Sequence, residues 1–157
     1  MIHVLFVCLG NICRSPTAHG VFQKIIDDQN ICHLFQVDSA GTAAWHIGKN
    51  PDPRSQAAAH LREYDLSCLR ARQVVVEDFE KFDYILAMDS ENLRNLQAIS
   101  PMEHQSKLAL FLDFSDMNER EVPDPYYGGS GGFEHVLDLV ESASLGFLKK
   151  LNPELKT

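Results

Sequence analysis

Near its start the chain reads Val7-Cys8-Leu9-Gly10-Asn11-Ile12-Cys13-Arg14-Ser15-Pro16. Residues 2–7, an apolar run interrupted by His3, predict a buried strand that ends at Cys8. Ser15 and Pro16 are typical of a helix start, with Ser15 as the N-cap and a helix expected to run to about residue 30. The stretch is therefore predicted to be a strand-to-helix turn, which directs backbone N–H groups towards an anion.

Cys8 and Arg14 are separated by five residues on this turn, and the pair indicates a specific chemistry. The helix N-terminus and the guanidinium both favour the thiolate of Cys8, which is the nucleophilic form. The same N–H groups and Arg14 would bind the oxygens of a phosphoryl group. Gly10 permits close backbone approach, and Asn11 tolerates a left-handed conformation. The stretch predicts a site that cleaves phosphate esters.

A cysteine and an arginine at this spacing carry little weight alone, since roughly one chain in six of this composition has such a pair by chance. Their place between a strand and a helix makes a functional loop the better interpretation. The other common phosphate loop, G-x-x-x-x-G-K-[ST], does not occur in the sequence. Binding of a nucleoside triphosphate therefore has no support.

Strand-like and helix-like segments alternate along the rest of the chain. Further strands are predicted at 34–40, 82–88 and 107–114, and further helices at 54–64, after Asp89 and at 133–151, with Asp89 as the cap of the helix that follows it. This order predicts an α/β fold: a single-domain, three-layer structure with a four-stranded parallel sheet and helices on both faces. Ligands bind beyond the carboxyl ends of such strands, where the Cys8 turn lies. Residues 1–157 are expected to form one domain.

Composition and charge disfavour several classes of protein. The net charge of -8 argues against a nucleic-acid-binding face. No apolar stretch approaches the ~20 residues that span a bilayer, and the N-terminus lacks a basic leader. A cytoplasmic protein without membrane attachment is expected, with free thiols; two disulfides are the alternative for a secreted chain. The histidines lack ligand spacing, so no metal is expected.

A phosphoryl transfer also needs an acid for the leaving oxygen. Asp124 is the candidate, because it lies in the loop after the fourth predicted strand, between Pro123 and Pro125. Tyr126 and Tyr127 would form the wall of a slot beside it. The alternative is an ordinary polar turn with exposed aromatic residues, and these residues alone leave both interpretations open.

Together these motifs resemble the low-molecular-weight protein tyrosine phosphatases. The resemblance rests on residues 7–16 and 124–128, with the segments 38–42, 50–54, 71–73 and 88–89 between them in the expected order. It covers essentially the whole chain. It implies hydrolysis of phosphotyrosine and small aryl phosphates through a phosphocysteine intermediate, without a metal or cofactor.

The resemblance also implies a role for each site residue. Cys8 would attack phosphorus, Arg14 would bind the phosphoryl group, and Asp124 would protonate the departing phenolate and then activate water. The residues expected to support the loop are Ser15, which would stabilise the thiolate, Asn11 and Ser39. The expected substrate-binding residues are Leu9, Gly10, Ile12, Cys13, Trp45, Tyr126 and Tyr127.

Three positions refine the resemblance. Ile12 matches the tyrosine phosphatases, whereas related arginine phosphatases tend to have a threonine there. Leu69 departs from the family, which often has a histidine at this position to brace the loop. Cys13 is either a small buried residue or a redox partner that traps oxidised Cys8 as a disulfide.

Two other functions are alternatives to phosphatase activity. An arsenate reductase on the same scaffold would need further cysteines downstream, and none follows Cys68. A module that only binds phosphotyrosine would need a damaged site, although all three catalytic residue types are present. The expected partners are a tyrosine-phosphorylated protein and inhibitory phosphate or similar oxyanions, but neither nucleic acid nor a membrane. The chain is expected to be a monomer or to self-associate weakly through Trp45, Tyr126 and Tyr127.

Overall fold

The computed structural model describes residues 1–127 and 131–155, apart from the side chains of Tyr127 and of residues 153–155. One parallel sheet contains the four strands β1 (Ile2–Cys8), β2 (Phe35–Gly41), β3 (Tyr84–Ala87) and β4 (Leu108–Leu110). The strand order is β2-β1-β3-β4, so that β1 is central and pairs with two neighbours. The predicted four-stranded parallel sheet is confirmed.

The described part of the chain forms five α-helices: α1 (Arg14–Asp28), α2 (Pro53–Leu61), α3 (Glu77–Lys81), α4 (Ser90–Ile99) and α5 (Gly132–Leu155). Short 3-10 helices lie at Cys32–Leu34, Met102–Lys107, Phe111–Phe114 and Pro125–Tyr127. No helix within residues 1–127 and 131–155 combines the length and the apolar character needed to cross a membrane.

Side chains of β1 alternate between two hydrophobic cores, because successive residues of a strand point to opposite faces. Val4 and Phe6 contribute to the core that includes side chains of α1 and α5. Leu5 and Val7 contribute to the other core, which includes side chains of α3 and α4. Burial on both faces explains why residues 4–7 of β1 form a continuous apolar run. Helices cover both faces of the sheet, as predicted.

The start of α1 differs from the prediction. The helix begins at Arg14, and Cys13 occupies the N-cap position without a side-chain capping bond. The prediction of Ser15 as the N-cap is therefore wrong. Its hydroxyl lies within hydrogen-bond distance of the Cys8 sulfur, so it serves the preceding turn rather than the helix end.

Other strands and helices also begin or end at residues that differ from the prediction. The predicted strand at 107–114 is wrong beyond Leu110, where the chain turns into the 3-10 helix Phe111–Phe114 and places Phe111 in the core. The predicted helix at 54–64 ends at Leu61. The helix α3 was missed, since its five residues are too few to show a helical period.

Candidate active site

The turn between β1 and α1, residues 8–14, is called the phosphate loop below. Backbone N–H groups that follow β2 hold three of its carbonyl groups: Thr42 bonds Cys8 at 2.9 Å, Ala43 bonds Leu9 at 3.0 Å, and Asp52 bonds Ile12 at 2.7 Å. In the described part of the chain, no protein acceptor pairs with the N–H groups of Gly10, Ile12 and Cys13. These donors remain available for an anion.

The sulfur of Cys8 is buried and has two hydrogen-bond partners. The backbone N–H of Asn11 lies 3.3 Å from Sγ, and Oγ of Ser15 lies 3.0 Å from it. Nδ2 of Asn11 donates to Ser15 Oγ at 2.8 Å, so the hydroxyl hydrogen of Ser15 points either at the sulfur or at the carbonyl oxygen of Ala40, which is 3.4 Å away. A thiolate is the stronger acceptor of the two, so ionised Cys8 receives this hydrogen. Both donors stabilise a negative charge on Cys8.

Asn11 connects the phosphate loop to the segment after α2. It has a positive φ of 57°, a conformation that asparagine tolerates better than most residues. Its Oδ1 accepts the backbone N–H of Arg72 at 3.0 Å, which fixes the orientation of the amide. The side chain of Arg72 is itself held by Asp38 at 3.1 Å and by Asp78 at 2.9 Å. This ion-pair group braces the loop from outside.

The end of β2 approaches the phosphate loop very closely at Gly41. A Cβ atom at this position would lie 2.7 Å from the carbonyl oxygen of Leu9 and 3.2 Å from the backbone nitrogen of Asn11. Only glycine fits such a contact without displacing the loop.

Arg14 is buried with its guanidinium fixed by two partners. Its Nη1 donates to Oδ2 of Asp89 at 2.6 Å and to the carbonyl of Val122 at 3.0 Å. Burial on its own would lower the pKa of Arg14, but the negative charges of Cys8 and Asp89 outweigh it and raise that pKa. Arg14 is therefore a permanent, oriented cation. Asp89 was predicted only as a helix cap, and its place at the carboxyl end of β3 was the available signal for this second role.

Asp124 lies beside the guanidinium. Its Oδ2 is 3.9 Å from Nη2 of Arg14, and its Oδ1 accepts the backbone N–H of Tyr126 at 3.0 Å. A pocket of about 230 Å³ opens between these groups. Its lining residues are Cys8, Leu9, Gly10, Ile12, Cys13, Arg14, Trp45, His46, Asp124 and Tyr126.

The mouth of the pocket is aromatic. Trp45 is 67% exposed and Tyr126 is 41% exposed, so both can contact a ligand that extends out of the pocket. The sequence reasoning missed His46, which lies so close to Gly10 that a Cβ there would be 3.0 Å from its ring. The side chain of Tyr127, which was predicted to line the same mouth, lies outside the described residues.

Ser39 lies on β2 beside α1, and its support of the phosphate loop stays a prediction. Among the described contacts its Oγ pairs with Nδ1 of His19 at 3.2 Å, and it makes no bond to Asn11 or Ser15. His19 follows Ser15 by one helical turn, so both side chains face β2. Leu69, at the position where the family often has a histidine, packs against the core. Burial lowers the pKa of His19, although Asp38 opposes this effect.

Cys13 is also buried, but its surroundings favour the neutral thiol. Desolvation raises its pKa to about 12, and the negative charges of Asp52 and Cys8 add to the effect. All four cysteines of the chain fall within the described residues and are free thiols. Within residues 1–127 and 131–155, no three His, Cys, Asp or Glu side chains cluster closely enough to hold a metal ion.

Comparisons with known proteins agree with this geometry. The family model described as low molecular weight phosphotyrosine protein phosphatase matches residues 3–157. The phosphatase of that description from Schizosaccharomyces pombe is 43% identical over 152 residues, which cover 96% of this chain and 97% of the relative. The predicted resemblance is confirmed over nearly the full length.

Solved structures give the same result. A protein tyrosine phosphatase of Entamoeba histolytica, with Hepes in its active site, has a TM-score of 0.95 at 40% identity and covers 98% of this chain and 99% of that one. Vibrio vulnificus Wzb in complex with benzylphosphonate has a TM-score of 0.84 at 31% identity, covering 96% and 99%. The chain therefore belongs to the low molecular weight phosphotyrosine protein phosphatase family and is a phosphoric monoester hydrolase.

Proposed function

We propose that this chain hydrolyses phosphotyrosine in proteins in two steps, with Cys8 as nucleophile, Arg14 as the phosphoryl-binding cation and Asp124 as acid and then base. The observation that carries the proposal is the shared pocket. Cys8 and Asp124 both line it, and Nη2 of Arg14 lies 3.9 Å from the Asp124 carboxylate. A phosphoryl group bound to Arg14 would have a nucleophile and an acid within reach.

In the first step the Cys8 thiolate attacks phosphorus. The new S–P bond forms as the bond between phosphorus and the tyrosyl oxygen breaks, and protonated Asp124 gives its proton to that oxygen. The N–H groups of the phosphate loop and the guanidinium of Arg14 stabilise the charge on the three equatorial oxygens. Since Arg14 is held by Asp89 at 2.6 Å, it needs no reorientation during the reaction.

In the second step Asp124 acts as a base. It takes a proton from a water molecule that attacks the phosphocysteine, and inorganic phosphate is released as the S–P bond breaks. The sulfur leaves as a thiolate, which the N–H of Asn11 and the hydroxyl of Ser15 stabilise. The same two donors therefore favour the nucleophile in the first step and the leaving group in the second.

Aryl phosphates suit this pocket. Leu9 and Ile12 supply apolar lining, and the exposed rings of Trp45 and Tyr126 stand at the mouth, where a phenyl ring would pass. Benzylphosphonate, the ligand of the Vibrio protein, also joins an aromatic ring to a phosphorus oxyanion. Phosphate and related oxyanions are proposed as inhibitors that occupy the same loop. Self-association through Trp45 and Tyr126 stays a prediction.

We further propose Cys13 as the redox partner of Cys8. Peroxide would oxidise the Cys8 thiolate to a sulfenic acid, and Cys13 would attack that sulfur, forming a disulfide and releasing water. Both sulfurs line one pocket and belong to one loop, which supports the pairing. A reducing compartment such as the cytoplasm suits an enzyme whose nucleophile is a thiolate.

The mechanism is tested by the turnover of p-nitrophenyl phosphate by Cys8→Ser and Asp124→Ala variants. We expect Cys8→Ser to lose nearly all activity, and Asp124→Ala to lose roughly 10²- to 10⁴-fold, the range typical of a general acid–base residue. Matched controls are Cys32→Ser, an exposed thiol, and Asp113→Ala, an exposed carboxylate paired with Arg120. Both controls should keep the activity of the unmodified protein.

Unchanged turnover by Cys8→Ser would refute the proposed nucleophile.

Phosphoarginine, assayed beside phosphotyrosine, tests the prediction from Ile12 that the substrate is an aryl phosphate. A preference for phosphoarginine would overturn the tyrosine assignment while leaving the cysteine mechanism intact.

A further inference from the structure

The orientation of the Asp124 carboxyl group depends on the backbone segments before and after it, because few contacts hold the side chain itself. Oδ1 accepts the backbone N–H of Tyr126, and Oδ2 is 3.9 Å from Arg14. On the N-terminal side, the N–H of Val122 donates to the carbonyl of Met88 at 2.8 Å and fixes the chain to the end of β3. The chain on the C-terminal side of Asp124 has to be held by other contacts.

Arg54, at the start of α2, provides that support. Its guanidinium carbon lies 5.2 Å from the ring centre of Tyr126 and 4.9 Å from that of Phe133. Nη1 also lies 3.4 Å from the carbonyl oxygen of Tyr126, to which it donates. A planar guanidinium is attracted to aromatic faces, so one side chain contacts the segment after Asp124 at two points.

Asp52 in turn fixes Arg54. Its two carboxylate oxygens accept Nε at 3.1 Å and Nη2 at 3.0 Å, a bidentate arrangement. Burial on its own would raise the pKa of Asp52, but the hydrogen bonds from Arg54 lower it, so the carboxylate stays charged. The backbone N–H of Asp52 donates to the carbonyl of Ile12 at 2.7 Å. The contacts are therefore continuous from the phosphate loop to the loop of Asp124.

We propose that Arg54 is a positioning residue that holds Asp124 in register with the phosphate loop. The inference rests on the proposed role of Asp124 as general acid. Arg54 is half-exposed and is not among the described residues that line the pocket, so it acts through Tyr126 rather than on the substrate.

The effect of Arg54 should therefore depend on the leaving group. Phenolate needs a proton when it departs, whereas the weakly basic p-nitrophenolate needs it much less. kcat/KM reports the steps up to phenol release, so it is the quantity to compare. We expect Arg54→Ala to lower kcat/KM for phenyl phosphate roughly 10- to 100-fold, the cost of a misplaced catalytic group, and for p-nitrophenyl phosphate much less. The inhibition constant of inorganic phosphate should stay unchanged.

Two further variants separate positioning from folding or charge. Arg54→Lys keeps the positive charge but loses the planar fork, and it should show most of the loss. Arg120→Ala is the matched control, because this exposed arginine lies in the connection before Asp124 and pairs with Asp113 at 2.8 Å. It should behave like the unmodified protein. Urea unfolding of each variant checks that the fold is retained.

A double-variant cycle with Asp124→Asn gives the decisive measurement. Once the acid is absent there is nothing left to position, so Arg54→Ala should cost no further activity in that background. Additive losses, or an equal loss with both substrates, would overturn the inference and point to direct substrate binding or a general structural effect. If Asp124→Asn lowers kcat/KM equally for phenyl phosphate and p-nitrophenyl phosphate, both the role of Asp124 as acid and the inference about Arg54 are refuted. If only Arg54→Ala lowers kcat/KM equally for the two substrates, the inference about Arg54 is refuted and the proposed function stands.

Discussion

Cys8 and Cys13 lie in one loop and both are buried, yet their surroundings differ in charge. Cys8 receives donors from Asn11 and Ser15, which favour a thiolate. Cys13 has a pKa raised to about 12 by burial and by neighbouring negative charge, so it is almost entirely protonated near neutral pH. Since only a thiolate attacks a sulfenic sulfur efficiently, we expect protonated Cys13 to limit the rate of the proposed disulfide step.

At pH values below the pKa of Cys13, the thiolate fraction rises about tenfold for each unit by which the pH is raised. We predict that the rate of disulfide formation rises by the same factor. After oxidation by peroxide, the fraction of activity that dithiothreitol restores should rise between pH 6.5 and 8.5. In Cys13→Ser, prolonged peroxide should inactivate irreversibly, while Cys32→Ser should match the unmodified protein. Mass spectrometry after thiol alkylation would detect the disulfide. Equal recovery in Cys13→Ser and the unmodified protein would rule out the pairing.

Whether a contact in the site could be predicted from the sequence depends on how far apart its two residues lie along the chain. Cys8, Asn11, Arg14 and Ser15 belong to one short stretch whose residue types carry the chemistry. Their partners are remote: Arg14 bonds Asp89, 75 residues away, across the end of β3. Such contacts follow from strand order and register, which short-range patterns do not encode.

Among the helices, α4 shows how one carboxylate can serve a helix and the site together. Oδ1 of Asp89 accepts the backbone N–H of Asn92 at 2.7 Å, and the side chain of Asn92 bonds back to the N–H of Asp89 at 3.2 Å. The other oxygen, Oδ2, holds Arg14. The N-terminus of α4 is therefore tied directly to Arg14, the proposed phosphoryl-binding cation.

The two roles of Asp89 can be separated by substitution. Asp89→Asn keeps the cap, since asparagine caps as well as aspartate, but places an uncharged amide beside the buried Arg14; kcat/KM should fall about tenfold or more. It should lower the unfolding free energy only through the lost ion pair. Asp89→Ala should lose the same activity and, compared with Asp89→Asn, roughly a further 1 kcal/mol of unfolding free energy. Asn92→Ala is the control, with weaker capping but normal kcat/KM. Urea titration and p-nitrophenyl phosphate assays measure both quantities; a fully active Asp89→Asn would contradict the assignment.

Element boundaries were predictable where the apolar period is long and uninterrupted. β1 and α1 fall close to the predicted ranges, because their buried faces extend over several turns or strand repeats. The 3-10 helix Phe111–Phe114 was read as strand, since Phe111 and Leu112 are buried whichever backbone conformation they adopt. A short apolar run specifies burial without specifying the backbone.

For the molecule as a whole, the free energy of unfolding depends on pH through every group whose pKa differs between the folded and unfolded chain. His19 is such a group, because burial against Ser39 lowers its pKa below the ordinary value of 6.5, against the opposing charge of Asp38. As the pH falls through 6.5, the unfolded chain takes up a proton before the folded chain does. The contribution of His19 to stability is therefore complete above about pH 6.5 and declines as the pH falls to its folded pKa.

We predict that His19→Gln, which keeps a polar partner for Ser39 but cannot titrate, flattens the loss of stability between pH 7.5 and 5.5. The difference can reach about 1.4 kcal/mol for each pH unit inside the window, because one proton is involved. Urea unfolding at several pH values measures the slope. His60→Gln, at an exposed position of α2, is the matched control and should keep the slope of the unmodified protein. If His19→Gln keeps that slope as well, the acid sensitivity of the fold arises elsewhere.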